Sequence, residues 1–321
     1  MNILVTGVGA IIGYGIIKSL REQSMHDVRI IGMDIYDDAY GQFVCDQFYV
    51  AERADSPKYL EFINQIIEKE KIDLIMPGIE QDMYRLHELG DKVNTKIVMN
   101  NNLLIELSQD KLLTYEYLAK EGLNVIPTLF KNSYYDCVSR LGSPFLLKPR
   151  RSYASKGIHK IYTEEEFAFY NKEPEANICQ RIVGTDNSEY TISVFGKGDG
   201  TYADYIILKR KLAQTGATDK ATVVKKDAEL MDYVDKVCQV TNPIGPTNIQ
   251  LRKEGDKVYL LEINPRISSA CSIRTHMGYN DALKSIEFYL YGRHMEPTEK
   301  KQLHAVRFID DFFYEENCCH L

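Results

Sequence analysis

Residues 247–266 read TNIQLRKEGDKVYLLEINPR, and this stretch decides the fold. Two runs rich in apolar residues flank the turn EGD at residues 254–256, an arrangement typical of paired antiparallel strands. Side chains two positions apart on a strand face the same way, so Glu262 and Asn264 share one face. If the strands pair around the turn, Gln250 lies opposite Glu262.

These side chains together have the chemistry of a metal site. Glu262 supplies a carboxylate, and Gln250 and Asn264 supply amide oxygens, which are hard ligands that suit Mg²⁺ held jointly with nucleotide phosphates. Arg266 shares the face and would stabilise a transferring phosphoryl group or an anionic intermediate. The alternative is a polar hairpin that faces water, but Pro265 and the apolar residues around it disfavour that arrangement.

Two lysines and a loop earlier in the chain are candidates for binding phosphate. Lys111 begins a helix, where a lysine opposes the helix dipole and so needs another reason to be there. Lys148 lies within the apolar strand PFLLKPR at 144–150, where it either snorkels at a sheet edge or aims its ammonium at phosphate. The following loop, RRSYASKG at 150–157, interleaves cations with small residues, so its N–H groups could close over phosphates.

The first hundred residues alternate apolar strands and helices. This alternation predicts a parallel, doubly wound sheet whose site lies at the carboxyl ends of its strands. The segment GVGAIIG at 7–13 matches GxGxxG, which together with Asp34 could hold a dinucleotide. Tight packing of strand on helix requires the same glycines, so an NAD-dependent oxidoreductase is the least favoured alternative.

After residue 100 the pattern becomes α+β. Further elements are predicted at about 110–121, 144–150, 178–183, 189–195, 201–208 and 281–291. We divide the chain into an α/β domain at 1–100, linking helices with a lid at 101–185, and a body that carries the metal site at 186–321.

Composition and charge exclude several classes of protein. A net charge of −7 without a basic tract argues against a nucleic-acid partner. No apolar run approaches the roughly 18 residues of a spanning helix, and the start MNILVTG is unlike a signal peptide, so we expect no membrane association. Seven scattered cysteines without a CxxC pair suit reduced thiols in the cytoplasm. The role of the tail Cys318-Cys319-His320 stays open, although a frayed end explains it more simply than a metal site.

The order of these motifs resembles the ATP-grasp superfamily, most closely a single synthetase unit of the carbamoyl-phosphate synthase large subunit. The matching motifs cover nearly the whole chain: QDK at 109–111, LLKPR at 146–150 with its loop, ICQRIVG…SEYTISVF at 178–195 and TNIQL…LLEINPR at 247–266. The resemblance implies a Rossmann-like pre-ATP-grasp domain followed by an ATP-grasp fold made of a lid and a body.

The resemblance also implies a set of nucleotide-binding residues: Lys111, Lys148, Ser152, Ser155, Lys156, Gly157, Gln180, Arg181, Val183 and Glu189. The two lysines match cationic contacts that are arginines in the carbamoyl-phosphate enzymes, and the segment 152–157 matches the phosphate-covering loop, here poorer in glycine. Gln180 stands where that family commonly has a glutamate near the adenine amino group. Val183 would offer its backbone to adenine, and Glu189 is a candidate second polar contact.

The implied reaction uses ATP and Mg²⁺, with Mn²⁺ as a second candidate metal, to activate a carboxylate as an acyl phosphate that an amine attacks. Gln250, Glu262 and Asn264 match the family's magnesium ligands, and Arg266 matches its catalytic arginine. The sequence holds one synthetase unit and no fused glutamine-hydrolysing partner, so synthesis of carbamoyl phosphate is not implied. Two alternatives stay open: a small-molecule kinase or carbamate-phosphorylating enzyme without ligation, and a non-catalytic nucleotide-binding regulatory protein.

Substrate-facing candidates come from two other segments. Glu80 and Asp82 follow the strand that ends near residue 77, although acids at a solvated helix start are equally well explained by the helix dipole. In the run 209–211, KRK, we count Arg210 and Lys211 as catalytic candidates, with a charged strand end as the alternative. A small-molecule carboxylate and an amine are the expected partners, and a homodimer is a candidate assembly.

Overall fold

The first sheet consists of five parallel strands in the order β3-β2-β1-β4-β5. A computed structural model describes residues 1–152, 156–213, 216–308, 311 and 313. The strands are β1 (Asn2–Thr6), β2 (Arg29–Asp34), β3 (Gln47–Val50), β4 (Leu74–Met76) and β5 (Lys96–Ile97), and the helices are α1 (Ile11–Glu22), α2 (Tyr59–Glu70) and α3 (Glu80–Leu89). The predicted doubly wound sheet is therefore confirmed. Its winding reverses between β1 and β4, so a crevice opens at their carboxyl ends.

Close packing explains the glycines of the loop after β1. A Cβ on Gly13 would lie 2.3 Å from the carbonyl oxygen of Gly7, and Gly7 itself has a φ of +58°. Both carboxylate oxygens of Asp34 accept bonds from nearby backbone, at 2.8 Å from the Gly9 N–H and at 3.2 Å from the Tyr36 N–H. The Asp34 side chain is thus engaged by its own fold instead of being free for a ribose.

A four-stranded sheet with the order β6-β9-β7-β8 follows, and its neighbouring strands are antiparallel. Its strands are β6 (Thr128–Leu129), β7 (Phe145–Pro149), β8 (His159–Ile161) and β9 (Asn177–Gln180). The helices that precede or flank it are α4 (Asn102–Ser108), α5 (Lys111–Lys120), α6 (Tyr134–Leu141) and α7 (Glu164–Tyr170). Apolar side chains from α6, including Cys137 and Leu141, pack on Phe145 and Leu147 of β7.

The third sheet has six strands in the order β14-β13-β10-β11-β12-β15. They are β10 (Glu189–Lys197), β11 (Tyr202–Leu212), β12 (Thr218–Val224), β13 (Ile244–Glu254), β14 (Lys257–Asn264) and β15 (His304–Val306). Helices α8 (Ala228–Thr241), α9 (Cys271–His276) and α10 (Asp281–Tyr291) cover it. Strand β15 pairs with β12, and the next residue, Arg307, donates to the carbonyls of Thr218, at 2.8 Å, and Ser269.

The first and third sheets are held together through α1. Its side chains Ile16 and Ile17 share one buried cluster with Cys271 of α9 and with Ala282 and Ile286 of α10. This packing fixes the carboxyl ends of β1 and β4 opposite the body sheet. Among the residues that the structure describes, no helix is long and apolar enough to cross a membrane.

Candidate active site

The hairpin of β13 and β14 brings the predicted metal ligands together. Gln250 pairs with Glu262 and Asn248 pairs with Asn264, so the predicted pairing across the turn is confirmed. An irregularity in register follows Gln250. All four side chains line a cavity of about 990 Å³ that lies between the first sheet and the body sheet.

The three predicted metal ligands, Gln250, Glu262 and Asn264, differ in their hydrogen-bond partners. The Gln250 Oε1 accepts a bond of 2.7 Å from Arg210, and the Asn264 Oδ1 accepts one of 3.1 Å from Arg266. Glu262 has no hydrogen bond or ion pair with any other described residue, so its carboxylate is available to a ligand. One free carboxylate beside two amide oxygens fits Mg²⁺, which is bound by one or two carboxylates together with substrate phosphates.

Arg266 links the two walls of the cavity. Its Nη2 donates to Glu80 at 2.5 Å and to Asn264 at 3.1 Å, and its Nη1 donates to the carbonyl of Ile267 at 3.1 Å. Because Glu80 begins α3, this ion pair joins the first sheet's helix to the end of β14. Glu80 is therefore bound within the protein, whereas the sequence left it as a substrate contact or a solvated helix start.

The two catalytic candidates of β11 point to opposite faces. Arg210 is buried and lines the cavity, where it donates to Glu189 at 2.8 Å and to Gln250 at 2.7 Å. Lys211, its neighbour, is exposed and does not line the cavity, because successive strand residues alternate sides. The structure thus brings Arg210, but not Lys211, to the cluster.

Lys148 and Gln180 form a buried polar contact between β7 and β9. The Lys148 ammonium donates to the Gln180 Oε1 at 2.5 Å, and the Gln180 amide donates to Thr128 at 3.0 Å. Burial, followed by the positive charge of Lys111, lowers the pKa of Lys148 to about 8, while the charge of Glu262 partly offsets this shift. Lys148, in the four-stranded sheet, therefore lies within electrostatic reach of Glu262 among the candidate metal ligands.

The loop at 152–157, a candidate for covering phosphates, begins beside Lys111. The Lys111 ammonium donates to the backbone oxygen of Ser152 at 2.9 Å and to its hydroxyl at 3.2 Å. Gly157 has a φ of +74°, a conformation that favours glycine. Lys156 is exposed, and Ser155 lies outside the described residues.

The remaining nucleotide candidates differ in their surroundings. The Glu189 carboxylate is buried between two arginines, with one oxygen 2.8 Å from Arg210 and the other 2.5 Å from Arg252. Arg181 pairs with Glu254 at 2.7 Å, and Val183 is buried in a small apolar cluster. Both oxygens of Glu189 thus already accept bonds within the protein.

Sequence reasoning missed two polar residues on β13. Asn248 lies two positions before Gln250, is buried, and accepts a bond of 2.6 Å from Arg274 while lining the cavity. Its spacing in the TNIQL motif was a signal that could have identified it. Arg252 lies two positions after Gln250, and the pairing of β10 with β13 places it opposite Glu189.

Comparison with known proteins agrees with this architecture. Residues 3–99 match the family described as PylC-like, N-terminal domain, and residues 184–312 match the family described as ATP-grasp in the biosynthetic pathway with Ter operon. The chain is 25% identical over 262 residues to the formate-dependent phosphoribosylglycinamide formyltransferase of Methanocaldococcus jannaschii, a match that covers 74% of this chain and 64% of that protein. It is 23% identical to the carbamoyl phosphate synthase large chain of Methanosarcina barkeri, over 83% of this chain and 28% of that protein.

A solved structure shows the same fold. The N5-carboxyaminoimidazole synthetase of Staphylococcus aureus, complexed with ADP, superposes with a TM-score of 0.74 over 93% of this chain and 79% of that one, at 22% identity. The predicted resemblance is confirmed: a PylC-like N-terminal domain precedes an ATP-grasp fold.

Proposed function

We propose that this ATP-grasp chain is an ATP- and Mg²⁺-dependent ligase that activates a carboxylate as an acyl phosphate for attack by an amine. The observation that carries the proposal is the grouping of Gln250, Glu262 and Asn264 with Arg266 in the wall of one cavity. The Glu262 carboxylate has no partner among the described residues, which supports a role as a ligand group. The ADP bound to the S. aureus relative supports a nucleotide as co-substrate.

Each part of the site then has a chemical task. Glu262, Gln250 and Asn264 would hold Mg²⁺, or Mn²⁺ in its place, which would supply positive charge to the phosphates. The Arg266 guanidinium is held by Glu80, so it is oriented before an anionic group arrives. Lys111 and Lys148 would bind phosphate oxygens.

The adenine end of the nucleotide is assigned to the small sheet. Gln180 and the Val183 backbone are the proposed contacts to the adenine, with Arg181 in the same segment. The loop 152–157 would cover the phosphates. We assign to Glu189 the role of holding Arg210 and Arg252 in place, since each of its two carboxylate oxygens binds one of these arginines.

ADP release from ATP and Mg²⁺ tests the reaction when panels of carboxylates and amines are supplied separately and together. ADP that forms only when both substrates are present, together with an amide product, supports the ligase. ADP from one acceptor without any amine would instead indicate a kinase or a carbamate-phosphorylating enzyme. No consumption of ATP under any condition would favour a regulatory nucleotide-binding protein.

A substitution tests the metal site directly. Glu262→Gln should lower ADP release by about a hundredfold or more, because the metal contributes several kcal/mol of charge stabilisation. Since Glu262 bonds to no described residue, the variant should melt at the wild-type temperature. Asp256→Asn, an exposed acid in the turn of the same hairpin, is the matched control and should keep full activity. Near-normal activity of the Glu262 variant would refute the assignment.

The division into units at 1–100, 101–185 and 186–321 is part of the proposal. It is supported by the three separate sheets. A cytoplasmic location and a homodimer stay predictions.

A further inference from the structure

Most charged side chains that line the cavity are neutralised by a partner within the protein. The cavity-lining charges that have such partners form four ion pairs: Arg53–Asp55, Arg85–Glu88, Arg210–Glu189 and Arg266–Glu80. Two lining carboxylates, Glu262 and Asp82, have no cationic partner among the residues that the structure describes. The proposed metal accounts for Glu262 but not for Asp82, which belongs to the opposite wall.

The surroundings of Asp82 disfavour its charge. The residue is only 4% exposed, and its Oδ1 accepts a bond of 2.9 Å from the hydroxyl of Tyr59. Burial raises the pKa of Asp82 to about 6, although the hydroxyls of Thr6 and Tyr59 act in the other direction. Asp82 also lies in the first turn of α3, where the helix dipole favours an anion. The pKa stays raised because the effect of burial is larger than the effect of these favourable contacts. No cation among the described residues offsets the charge of this carboxylate.

A purely structural role does not account for this charge. The local packing requires an acceptor for the hydroxyls of Tyr59 and Thr6, and the amide oxygen of a neutral asparagine, with its two lone pairs, would supply one. A metal ion does not account for it either, because the bonded partners of Asp82 are the hydroxyls of Tyr59 and Thr6, whereas amide oxygens accompany Glu262. An ammonium group needs fewer oxygens, since it is a compact cation with three donors.

We propose that Asp82 binds a protonated amino group of the substrate. The carboxylate substrate is then an amino-bearing acid, whose ammonium contacts the wall formed by α3 while its carboxylate faces Glu262 and Arg266 on the other wall. This ammonium is not the attacking amine, because a nucleophile must be unprotonated. Only the placement of the substrate carboxylate near Glu262 and Arg266 rests on the proposed ligase activity. The ammonium contact at Asp82 does not depend on it.

Pairs of acids that differ in one amino group test the proposal. ADP release is measured, with the panel of amines present throughout, for the twenty standard amino acids, 4-aminobutyrate and 6-aminohexanoate, each beside the same acid without its amino group. For wild type, the KM of an accepted amino-bearing acid should be about 10–100-fold below that of its partner, as expected for a hydrogen bond to a charged group. Asp82→Asn should raise that KM by about the same factor and leave ATP affinity unchanged. Glu88→Gln, at an acid already paired with Arg85, is the control.

Melting of the unliganded protein separates recognition from support of the fold. At pH 8, Asp82→Asn should melt at or above the wild-type temperature, because it removes an uncompensated buried charge. A clear loss of stability would make Asp82 a structural residue and overturn the proposal. Equal KM changes for both members of each pair, or a wild-type preference for acids without the amino group, would also overturn it.

The same assay distinguishes this inference from the proposed function. ADP release supported only by acids without an amino group refutes the role of Asp82 and leaves the ligase intact. If ATP is not consumed with any acid, the ligase fails, and binding of the amino-bearing acids is then measured by the rise in melting temperature. A rise that Asp82→Asn abolishes still supports the ammonium site, and no rise with any of them contradicts it.

Discussion

Lys148 lies in the interior of its sheet, not at an edge, because β7 pairs with β9 on one side and with β8 on the other. The side chain is 7% exposed, so the alternative that it snorkels to water is wrong. Its hydrogen-bond acceptor, Gln180, is a neutral amide, which offsets only part of the cost of burying an ammonium. An anionic ligand such as phosphate would supply the missing charge.

Removal of this ammonium should weaken nucleotide binding. Lys148→Ala is expected to reduce ATP affinity by about 1.5–3 kcal/mol, the range for a hydrogen bond to a charged group. Because the pKa of Lys148 is about 8 in the free protein, binding above that pH requires uptake of a proton. Wild-type affinity should therefore fall as pH rises beyond about 8, and the variant should show no such fall. Calorimetric titration with ATP from pH 7 to 9.5 measures both effects.

An exposed lysine of the same sheet provides the control. Lys160→Ala on β8 should bind ATP as wild type does. Unchanged affinity in Lys148→Ala would show that the ammonium serves only the packing of β7 against β9.

The ion-pair partners of Glu189 could not be predicted from its residue type and its place in a motif. Its position in the motif suggested a second polar contact to the nucleotide, and in the structure its oxygens bind Arg210 and Arg252. Those arginines reach Glu189 because β10 lies between β11 and β13. To predict both contacts, the pairing register of β10 with each of its two neighbours would have to be known. The turn at 254–256, in contrast, set the register of Gln250 with Glu262 locally, and that pairing was predictable.

Among the secondary-structure elements, those with strong local signals were predicted best. The helix predicted at 281–291 is observed as α10 over the same residues, ending in the left-handed Gly292. Helix α2, in contrast, begins at Tyr59, two residues after the Ser56-Pro57 pair that is typical of a helix start. The Ser56 hydroxyl accepts a bond from the Lys58 N–H and its carbonyl accepts one from Tyr59, so these residues form a turn before the helix.

The loop between β1 and α1 should not bind a dinucleotide. Both Asp34 oxygens are held by backbone N–H groups, so titration of the full chain with NAD or NADP should give no saturable binding. Asp34→Ala should instead lower the free energy of unfolding by about 1–3 kcal/mol, because it removes the charged acceptor of the Gly9 and Tyr36 N–H groups. Calorimetry measures the first result and chemical denaturation the second.

An exposed acid that follows β2 provides the control for Asp34→Ala. Asp37→Ala should leave stability nearly unchanged, since the side chain of Asp37 is exposed. Saturable NAD binding that Asp34→Ala abolishes would reinstate the oxidoreductase alternative.

At the scale of the whole molecule, the cavity exists because the first sheet is docked on the body. The contact joins residues far apart in sequence, such as Gly15 of α1 and Cys271 of α9. A Cβ on Gly15 would lie 2.6 Å from the Cys271 sulfur, so the two helices approach closely. Hydrophobic periodicity identifies the buried face of α1 but not the helix that this face packs against. The set of residues that line the cavity was therefore not predictable from the sequence.

A larger residue at this contact should separate the two walls. Gly15→Val is expected to reduce kcat/KM for ADP release, since a displacement of about 1 Å can cost 10²-fold in rate. ATP affinity should change little, because Lys111 and Lys148 belong to other parts of the fold. Steady-state kinetics and calorimetry on the same preparation separate these effects.

Lys18→Val places the same side chain on the exposed face of α1 and controls for the presence of a β-branched residue in this helix. It should retain wild-type kcat/KM. Equal losses of ATP affinity and of kcat/KM in Gly15→Val would mean that the substitution damages the whole fold.

Strand β15 bears on how the protein should be prepared in the laboratory. The strand comprises only three residues, yet it covers the backbone of β12, and Arg307 beside it fastens the segment to Ser269 at the rim of the cavity. A clone shortened before residue 304 would leave β12 as a bare edge, which invites other molecules to pair with it and precipitate. An expressed segment that includes residues 304–307 keeps this strand in place, whereas one that ends at α10 would expose the edge of β12 and tend to precipitate.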